Sequence, residues 1–371
     1  MRVHINAVGA VMGGAARHLP PFVGALVQTR PDWEFVVYCS PGALPLQTPK
    51  VRVRTVQRKS WQRILWDSVT VGRLAGRDGA DVLINLANYG PLSSPVPSIL
   101  YQRNPVYFDP VWVRSTGTGH QVESLVRRAI AFAQMRGSAA VVVPSNAMAA
   151  YLRSWRGCPP DMRIEVIPHS VDIERFTLTP PAAPSPSAAP VRIVSLSHGA
   201  PHKGQELLIP MMKELRRRGV DASLEATISD EDDPEYVASL RSLIDEAGLG
   251  QYVRFVGRVD AAQFLSQADV MVLPSITESF GFPVIEAMAC GVPVVASSIP
   301  STNEVLGHLG WYFPVGDASA AADQVVAVLE HDSQGLQDRL LAARSRAKSY
   351  SWERNARQVV SLVEEIVVAG H

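Results

Sequence analysis

The chain has few cysteines and no long apolar run. Three of its 371 residues are cysteines, and they are too scattered for a disulfide framework or a metal cluster. No apolar stretch reaches the roughly eighteen residues that cross a bilayer, and the opening MRVHINAV predicts a strand rather than a signal peptide. We therefore expect a reduced cytoplasmic protein, either free or peripheral at a membrane.

Several motifs of known chemistry are also missing. The sequence has no G-x-G-x-x-G dinucleotide fingerprint, no P-loop and no G-x-S-x-G nucleophile elbow. Its cysteines and histidines do not have zinc-ligand spacing, and it has no RNP motif, zinc finger or basic aromatic strip. These absences disfavour an NAD-dependent enzyme and a nucleic-acid-binding protein.

Charge is balanced over the whole chain but not along it. Residues 1–176 hold 20 lysines and arginines against 11 acidic residues, a net charge of +9, and residues 177–371 hold 15 against 24, a net charge of −9. Such asymmetry indicates an anionic partner for the basic half, although arginine-rich surface helices without a binding role would give the same count.

A proline-rich segment divides the chain where the charge changes sign. TLTPPAAPSPSAAP, residues 177–190, continues neither a helix nor a central strand and predicts an extended linker. We expect an N-terminal domain over 1–176, a C-terminal domain over 191–350, and a helix over 351–371 that packs back on the N-terminal domain.

Both halves alternate short β-branched runs with helical patterns. Runs such as EFVVYC and DVMVLPS carry unbroken apolar residues after a first acidic one, so they predict parallel strands covered on both faces. Helices are expected near 14–28, 60–76, 121–136, 146–155, 203–218, 233–247, 261–267, 284–290 and 317–330, with a final helical stretch over 335–371. The predicted fold class is α/β, with two Rossmann-like, doubly wound domains and a ligand cleft between them.

Two βα loops offer places for a phosphate. In GAVMGGAARHL, Gly13 and Gly14 precede a helix whose free N–H groups favour an anion, although a plain turn explains such glycines as well. In SLSHGAPHKGQELL, Lys203 follows a strand and opens a helix beside His198 and His202. The alternative for Lys203 is a solvated lysine at the start of a surface helix.

Two glutamates stand eight positions apart in PSITESFGFPVIEAMACGV. Glu286 is predicted in the first two turns of a helix, where the helix dipole alone accounts for it. Glu278 lies in an apolar loop after a buried strand and needs polar partners, which a hydroxyl-rich ligand supplies. Residues 279–281 offer backbone N–H groups around one point.

A second carboxylate pair, Asp230 and Asp232, lies in SDEDD. Asp-x-Asp is a form that binds divalent metals in some nucleotide-sugar enzymes. Because PEYVASLRSLIDEAG follows, an acidic helix start is the simpler interpretation.

Together these segments resemble the retaining glycosyltransferases of family 4, which have the two-domain GT-B fold. IEVIPHSVDIERF is similar to that family's exit from the first domain, SLSHGAPHKG to its phosphate segment and VRFVGRVD to its nucleobase segment. ESFGFPVIEAMACGVPVVAS matches its Glu-x7-Glu signature closely, and STNEVLG resembles the segment that follows. The N-terminal half matches in pattern alone.

The resemblance implies a nucleotide-diphosphate sugar as donor, bound mainly by the C-terminal domain. It implies that Glu286 holds the ribose hydroxyls, that Glu278 contacts the transferred sugar near its reacting carbon, and that Lys203 neutralises the leaving diphosphate. The other donor-binding candidates are Ser279, Phe280, Gly281, Phe282, His198, His202, Arg258, Val259, Gly13 and Gly14. It implies neither a metal nor another cofactor, because lysine and helix termini do the work of a divalent cation.

The chain departs from the family pattern at three places. His198 stands where the family has an arginine, so a permanent cation is replaced by a group that is neutral at many pH values. The family's Asn-Gly in the exit segment is His169-Ser170 here. ILYQRNPVYFDP, where many members have a histidine, contains none. The acceptor-side candidates are Arg103, Asn104 and His120.

We expect a retaining hexosyltransferase with a front-face mechanism assisted by the leaving phosphate. Its acceptor would be a hydroxyl of a glycan, a lipid-linked molecule or a small molecule, either anionic or at a membrane surface. The alternatives are a GT-B-like sugar-nucleotide epimerase, a phosphorylase with a lysine-bound cofactor, and a non-catalytic GT-B scaffold.

Overall fold

The computed structural model describes residues 1–9, 13–45, 48–58, 60–178 and 190–369. It divides into two units, the first made of Met1–Ser170 with Trp352–His371 and the second of Val171–Ser351. Most of the predicted linker over 177–190 lies outside the described residues. The segment before it belongs to the second unit, because the Val171 N–H donates to the Tyr350 carbonyl at 2.8 Å.

The first unit is built on a parallel sheet that has seven strands among the described residues. The strands are β1 (Arg2–Asn6), β2 (Glu34–Cys39), β3 (Val51–Thr55), β4 (Val82–Asn85), β5 (Ser98–Tyr101), β6 (Ala140–Val143) and β7 (Ile164–Val166). Their order is β3-β2-β1-β4-β5-β6-β7, so the strand order reverses between β1 and β4. The predicted doubly wound sheet is confirmed in this half.

Helices connect these strands. They are α1 (Gly13–Thr29), α2 (Ser60–Leu65), α3 (Val71–Arg77), α4 (Pro110–Ser115), α5 (Thr118–Arg136) and α6 (Asn146–Arg153). The predicted helix over 60–76 is interrupted by a π-helical segment, Trp66–Thr70. The sequence analysis missed α4, although Asp109 caps it and Pro110 stands in its first turn, both of which are helix-start signals.

The second unit has a parallel sheet of six strands within the described residues. They are β8 (Val191–Ser195), β9 (Ala222–Ala226), β10 (Val253–Phe255), β11 (Val270–Leu273), β12 (Val294–Ser297) and β13 (Trp311–Phe313). The order β10-β9-β8-β11-β12-β13 reverses between β8 and β11. Ligands of such sheets bind at this switch point, at the carboxyl ends of the strands.

The helices of the second unit are α7 (Leu208–Arg217), α8 (Pro234–Glu246), α9 (Ala261–Leu265), α10 (Phe282–Cys290), α11 (Pro300–Leu306), α12 (Ala318–Leu329) and α13 (Ser333–Lys348). The prediction that His202-Lys203-Gly204 opens a helix is wrong. Pro201–Lys203 is a 3-10 turn, Gly204 is left-handed at φ 60°, and α7 begins only at Leu208.

The chain ends in α14 (Trp352–Ala369), which returns to the first unit. Its buried face, including Val359 and Val363, joins Leu19 and Phe22 of α1 in one core. The final helical stretch expected over 335–371 is therefore two helices, α13 and α14, that belong to different units. Within the described part of the chain, we find no helix with the length and apolarity to cross a membrane.

Candidate active site

Two side chains of opposite charge meet at the switch point of the second sheet. Lys203 lies in the loop after β8 and Glu278 in the loop after β11, the two strands between which the order reverses. The Lys203 Nζ lies 2.6 Å from the Glu278 Oε1. Lys203 is 9% exposed and Glu278 is 7% exposed. The Ser275 hydroxyl donates to the same Oε1 at 3.0 Å, which fixes the carboxylate further.

Backbone contacts hold these two loops against each other. The Ile276 N–H donates to the His202 carbonyl at 3.0 Å. Next to this contact, Gly204 adopts its left-handed conformation, and a Cβ at this position would clash with the Pro274 carbonyl oxygen. Only glycine adopts this backbone without strain and also leaves room for the neighbouring loop. The position of Lys203 therefore depends on Gly204.

Gln205 shapes the loop after β8, a role that the sequence analysis missed. Its side chain is 1% exposed. Its Nε2 donates to the Ser197 hydroxyl at 2.9 Å and to the His198 carbonyl at 3.1 Å. Its Oε1 accepts from the Ala200 N–H at 3.2 Å. A single buried amide thus satisfies both ends of the loop, which is how an irregular loop is held in one conformation.

The acidic run over 229–233 bonds to protein groups. Asp233 caps α8 by accepting from the Tyr236 N–H, as the interpretation of an acidic helix start requires. Asp232 accepts from the Gly199 N–H at 2.7 Å and so ties the β8 loop to the β9 loop. Among the described residues, no group of three or more histidines, cysteines and carboxylates is arranged to hold a metal.

His198 and His202 lie beside the ion pair. Their ring centroids are 5.8 Å apart. The His198 ring is exposed to solvent, yet desolvation by the surrounding residues, followed by the positive charge of Lys203, lowers its pKa from the ordinary 6.5. His198 is therefore neutral at pH 7 and supplies no permanent charge.

The second glutamate lies on α10. Glu286 is half-buried in the second turn of that helix, which begins after Gly281 at φ 96°. Phe280 is 2% exposed and packs edge-on against Tyr350 at 5.4 Å. Because the Phe280 side chain belongs to the core, only its backbone is available to a ligand. Ser279 and Phe282 are each half-buried.

The nucleobase candidates follow β10. Arg258 is exposed and pairs with Glu231 at 4.0 Å. Val259 is partly buried against the core cluster that contains Phe280. Their assignment to the base stays a prediction.

The remaining candidates lie in the first unit and do not form one group. Gly13 and Gly14 are the first residues of α1. Asn104 turns back on its own loop and accepts from the Val106 N–H at 3.0 Å. His120, on α5, stacks on Tyr107 at 6.0 Å.

Arg103 instead lines a pocket with His18 and His169. Its backbone N–H donates to the Asn88 side chain at 2.7 Å. Arg103 was predicted as an acceptor-side residue, whereas His169 was noted only as a departure from the family pattern and His18 was not singled out.

Two family models match the chain. The model described as glycosyltransferase family 4 matches residues 12–175, and the model described as glycosyl transferases group 1 matches residues 184–348. The chain belongs to glycosyltransferase family 4. The resemblance inferred from the Glu-x7-Glu block is thereby confirmed for both halves.

Curated relatives of this family-4 chain include two named enzymes. The chain is 32% identical over 211 residues to a phosphatidyl-myo-inositol mannosyltransferase of Mycobacterium leprae, which is 55% of this chain and 54% of that one. It is 32% identical over 235 residues to a D-inositol 3-phosphate glycosyltransferase of Pseudarthrobacter chlorophenolicus, 59% of this chain and 54% of that one. The chain thus spans about half the length of the curated relatives that it matches.

Solved structures with the same fold cover the whole chain. Sucrose-phosphate synthase from Thermosynechococcus elongatus superposes with a TM-score of 0.79 at 19% identity and covers 100% of both chains. Anabaena HepE in complex with UDP-glucose superposes with a TM-score of 0.73 at 18% identity over 98% of this chain and 100% of that one. These likenesses show that the family-4 chain has the GT-B fold.

Proposed function

We propose that the chain transfers a sugar from a nucleotide-diphosphate sugar to a hydroxyl acceptor, with retention of the anomeric configuration. The observation that carries the proposal is the Lys203–Glu278 pair at the switch point of the second sheet. A cation and a carboxylate fixed side by side suit a ligand that joins an anionic diphosphate to a hydroxyl-rich sugar. The complex of the structural neighbour HepE with UDP-glucose supports this class of donor.

Each side chain has a separate task in this proposal. An ammonium has three N–H donors, and Glu278 takes one from Lys203, so the others serve a phosphate oxygen of the donor. The second oxygen of Glu278 accepts from sugar hydroxyls. Glu286, on α10, holds the ribose. His202 contributes beside Lys203, and backbone N–H groups of residues 279–282 donate to the sugar and the phosphate.

The chemistry requires no oxidant and no metal. The acceptor oxygen attacks the anomeric carbon from the face that the diphosphate leaves, and the bond from that carbon to the phosphate oxygen breaks. The nucleoside diphosphate departs with the bonding electron pair and takes the proton of the acceptor hydroxyl. Lys203 stabilises the negative charge that develops on the phosphate, where a fixed cation has its largest effect on rate.

The first unit would hold the acceptor, which we propose to be anionic. That unit carries 21 lysines and arginines against 12 acidic residues, and the second carries 14 against 23. The names of the two relatives, one for phosphatidyl-myo-inositol and one for D-inositol 3-phosphate, support an acceptor that bears a phosphate.

Donor binding tests the proposal. We would screen UDP-, GDP-, TDP- and ADP-sugars for thermal stabilisation of the full chain, since a ligand well above its Kd raises the melting temperature. One class of donor should stabilise the wild type, and Glu286→Ala should weaken the effect at least tenfold, as expected for a lost hydrogen bond to ribose. Glu246→Ala, at an exposed position on α8, is the matched control. If no nucleotide sugar binds, the proposal fails.

The product tests retention separately. NMR of the glycoside should show the anomeric configuration of the donor. An inverted product would refute the front-face mechanism and leave the donor assignment standing.

A further inference from the structure

Three basic side chains surround one pocket in the first unit. Arg103 follows β5, His169 follows β7 and His18 lies on α1, and all three line the pocket with Trp352 of α14. The His18 ring centroid lies 5.1 Å from that of His169 and 4.9 Å from that of Trp352. The pocket therefore lies at the carboxyl edge of the sheet, where α/β folds bind ligands.

The electrostatic environment of the pocket has one sign. Burial lowers the pKa of Arg103 to about 10, and Tyr101, whose own pKa burial raises, keeps its proton and adds no negative charge. Burial, followed by the positive charges of His18 and Arg103, holds the pKa of His169 well below its ordinary value. A partly buried guanidinium in such surroundings is stabilised by an anion, because charges removed from water need a partner.

The backbone that carries Arg103 is held firmly. Its N–H donates to the Asn88 Oδ1 at 2.7 Å, and its guanidinium donates to the Leu86 carbonyl. Asn88 itself adopts φ 66°, a left-handed conformation that asparagine reaches more readily than most other residues with a side chain.

Two residues that line the pocket each carry a buried polar atom that has no hydrogen-bond partner among the described residues. These atoms are the Tyr101 hydroxyl and the Asn355 Oδ1, and each residue is 6% exposed. The Asn355 Nδ2 donates to the Pro168 carbonyl at 2.7 Å, which orients Oδ1 as an acceptor. The pocket thus offers donors from Tyr101 and Arg103 and one acceptor from Asn355.

We propose that this pocket binds a phosphate group. Phosphate matches its chemistry because its anionic oxygens accept from Arg103 and Tyr101, while the O–H of the monoanion donates to the Asn355 Oδ1. Sulfate has the same shape but no such O–H at neutral pH, so it leaves Asn355 unpaired. The source is either free inorganic phosphate or a phosphate ester on the acceptor, and the second option rests on the proposed function.

Thermal unfolding of the full chain at pH 7 tests the proposal. Sodium phosphate should raise the melting temperature more than sodium sulfate at equal ionic strength. Tyr101→Phe removes only a hydroxyl that has no hydrogen-bond partner in the described part of the chain, so it should fold normally and weaken phosphate binding about tenfold. Arg103→Gln should abolish the shift. Arg114→Gln, at an exposed position on α4, should leave it unchanged.

Further arms separate the sources and the two proposals. If glycerol 1-phosphate raises the melting temperature as much as phosphate does, and glycerol alone has no effect, the pocket accepts a phosphate ester. If phosphate raises the melting temperature and glycerol 1-phosphate does not, the ligand is the free phosphate ion. A shift that survives in Lys203→Ala excludes binding at the donor site, and failure of every nucleotide sugar to bind would refute the donor proposal alone. The proposal of a phosphate pocket is overturned if phosphate does not raise the melting temperature of the wild type. It is also overturned if phosphate raises the melting temperatures of Tyr101→Phe and Arg103→Gln as much as that of the wild type.

Discussion

At the scale of single residues, the resemblance to family 4 implies a departure with a chemical consequence, a histidine at position 198 in place of an arginine. The family's arginine is charged at every physiological pH, whereas the pKa of His198 is lowered below 6.5 by desolvation and by Lys203. At pH 7 position 198 therefore adds no permanent cation beside Lys203. We therefore expect weaker donor binding than an arginine at position 198 would give, and we expect an arginine there to restore it.

Restoring the arginine tests this interpretation. His198→Arg should lower the donor KM about threefold to tenfold at pH 7.5, because a charge-assisted hydrogen bond to phosphate is added. His308→Arg places the same charge at another exposed position of the second unit. An unchanged KM in His198→Arg, or an equal gain in both variants, would show that position 198 does not meet the donor phosphates.

Asp67 is a second residue whose environment makes a measurable prediction. It is fully buried on the π-helical segment Trp66–Thr70 and accepts from the Asn6 Nδ2 at 2.7 Å. Burial raises its pKa from 3.8 to about 6. The folded protein therefore holds a proton that the unfolded chain has released, so this residue's contribution to stability is full below pH 3.8 and is lost as the pH rises through 6.

We expect the wild type to lose about 3 kcal/mol of unfolding free energy between pH 4 and pH 7 through this group. Asp67→Asn, which cannot ionise, should remove that loss. Urea titrations at pH 4, 5, 6 and 7 measure it, with the exposed Asp161→Asn as control. If the stability of Asp67→Asn falls with pH as steeply as that of the wild type, Asp67 is already ionised in the folded protein.

At the scale of elements, the proposed donor site depends on how the loops after β8 and β11 touch. Gly204 permits the contact, since a Cβ there would clash with the Pro274 carbonyl. Gly219 has a similar backbone at φ 81° but open space around it. The two glycines therefore separate the cost of a left-handed alanine from the cost of the clash.

Gly219→Ala should lower the unfolding free energy by about 1 kcal/mol, the cost of a left-handed alanine. Gly204→Ala should cost about 2 kcal/mol more and also raise the donor KM, because overpacking displaces the loop that carries Lys203. Chemical denaturation and donor titration measure the two effects. Equal destabilisation in both variants would show that the loops after β8 and β11 can move apart to admit the Cβ without a further loss of stability.

The same loops mark how far the sequence predicts the structure. Strands such as β2 and β11 were recognisable because buried parallel strands are apolar at every position. The start of α7 was predicted too early. Gly204 is left-handed where the loops after β8 and β11 touch, so the α-helix begins only at Leu208, and a local sequence pattern does not contain this tertiary contact. The Glu-x7-Glu block singled out Glu278 and Glu286 as candidates, but the direct pairing of Glu278 with Lys203 depends on strand order and was not foreseen.

At the scale of the whole molecule, the two units differ in charge as well as in sequence position. The first carries a net charge of +9 and the second −9, counted over the residues that each contains. The chain's last helix belongs to the basic unit, so that unit is discontinuous in sequence. Both segments of this unit line the proposed phosphate-binding pocket, because Trp352 and Asn355 of α14 lie there beside Arg103.

The proposed transfer of a sugar depends on Lys203 acting on the leaving diphosphate. The most direct measurement is the initial rate of nucleoside diphosphate release from the stabilising sugar nucleotide in the presence of an acceptor. Lys203→Ala should lower this rate about 100- to 1,000-fold in a variant that still unfolds cooperatively, at a lower melting temperature because Glu278 loses its buried partner. Lys213→Ala, at an exposed position on α7, should retain the full rate. If the Lys203→Ala variant releases the nucleoside diphosphate as fast as the wild type, Lys203 does not act on the leaving diphosphate and the proposed role is contradicted.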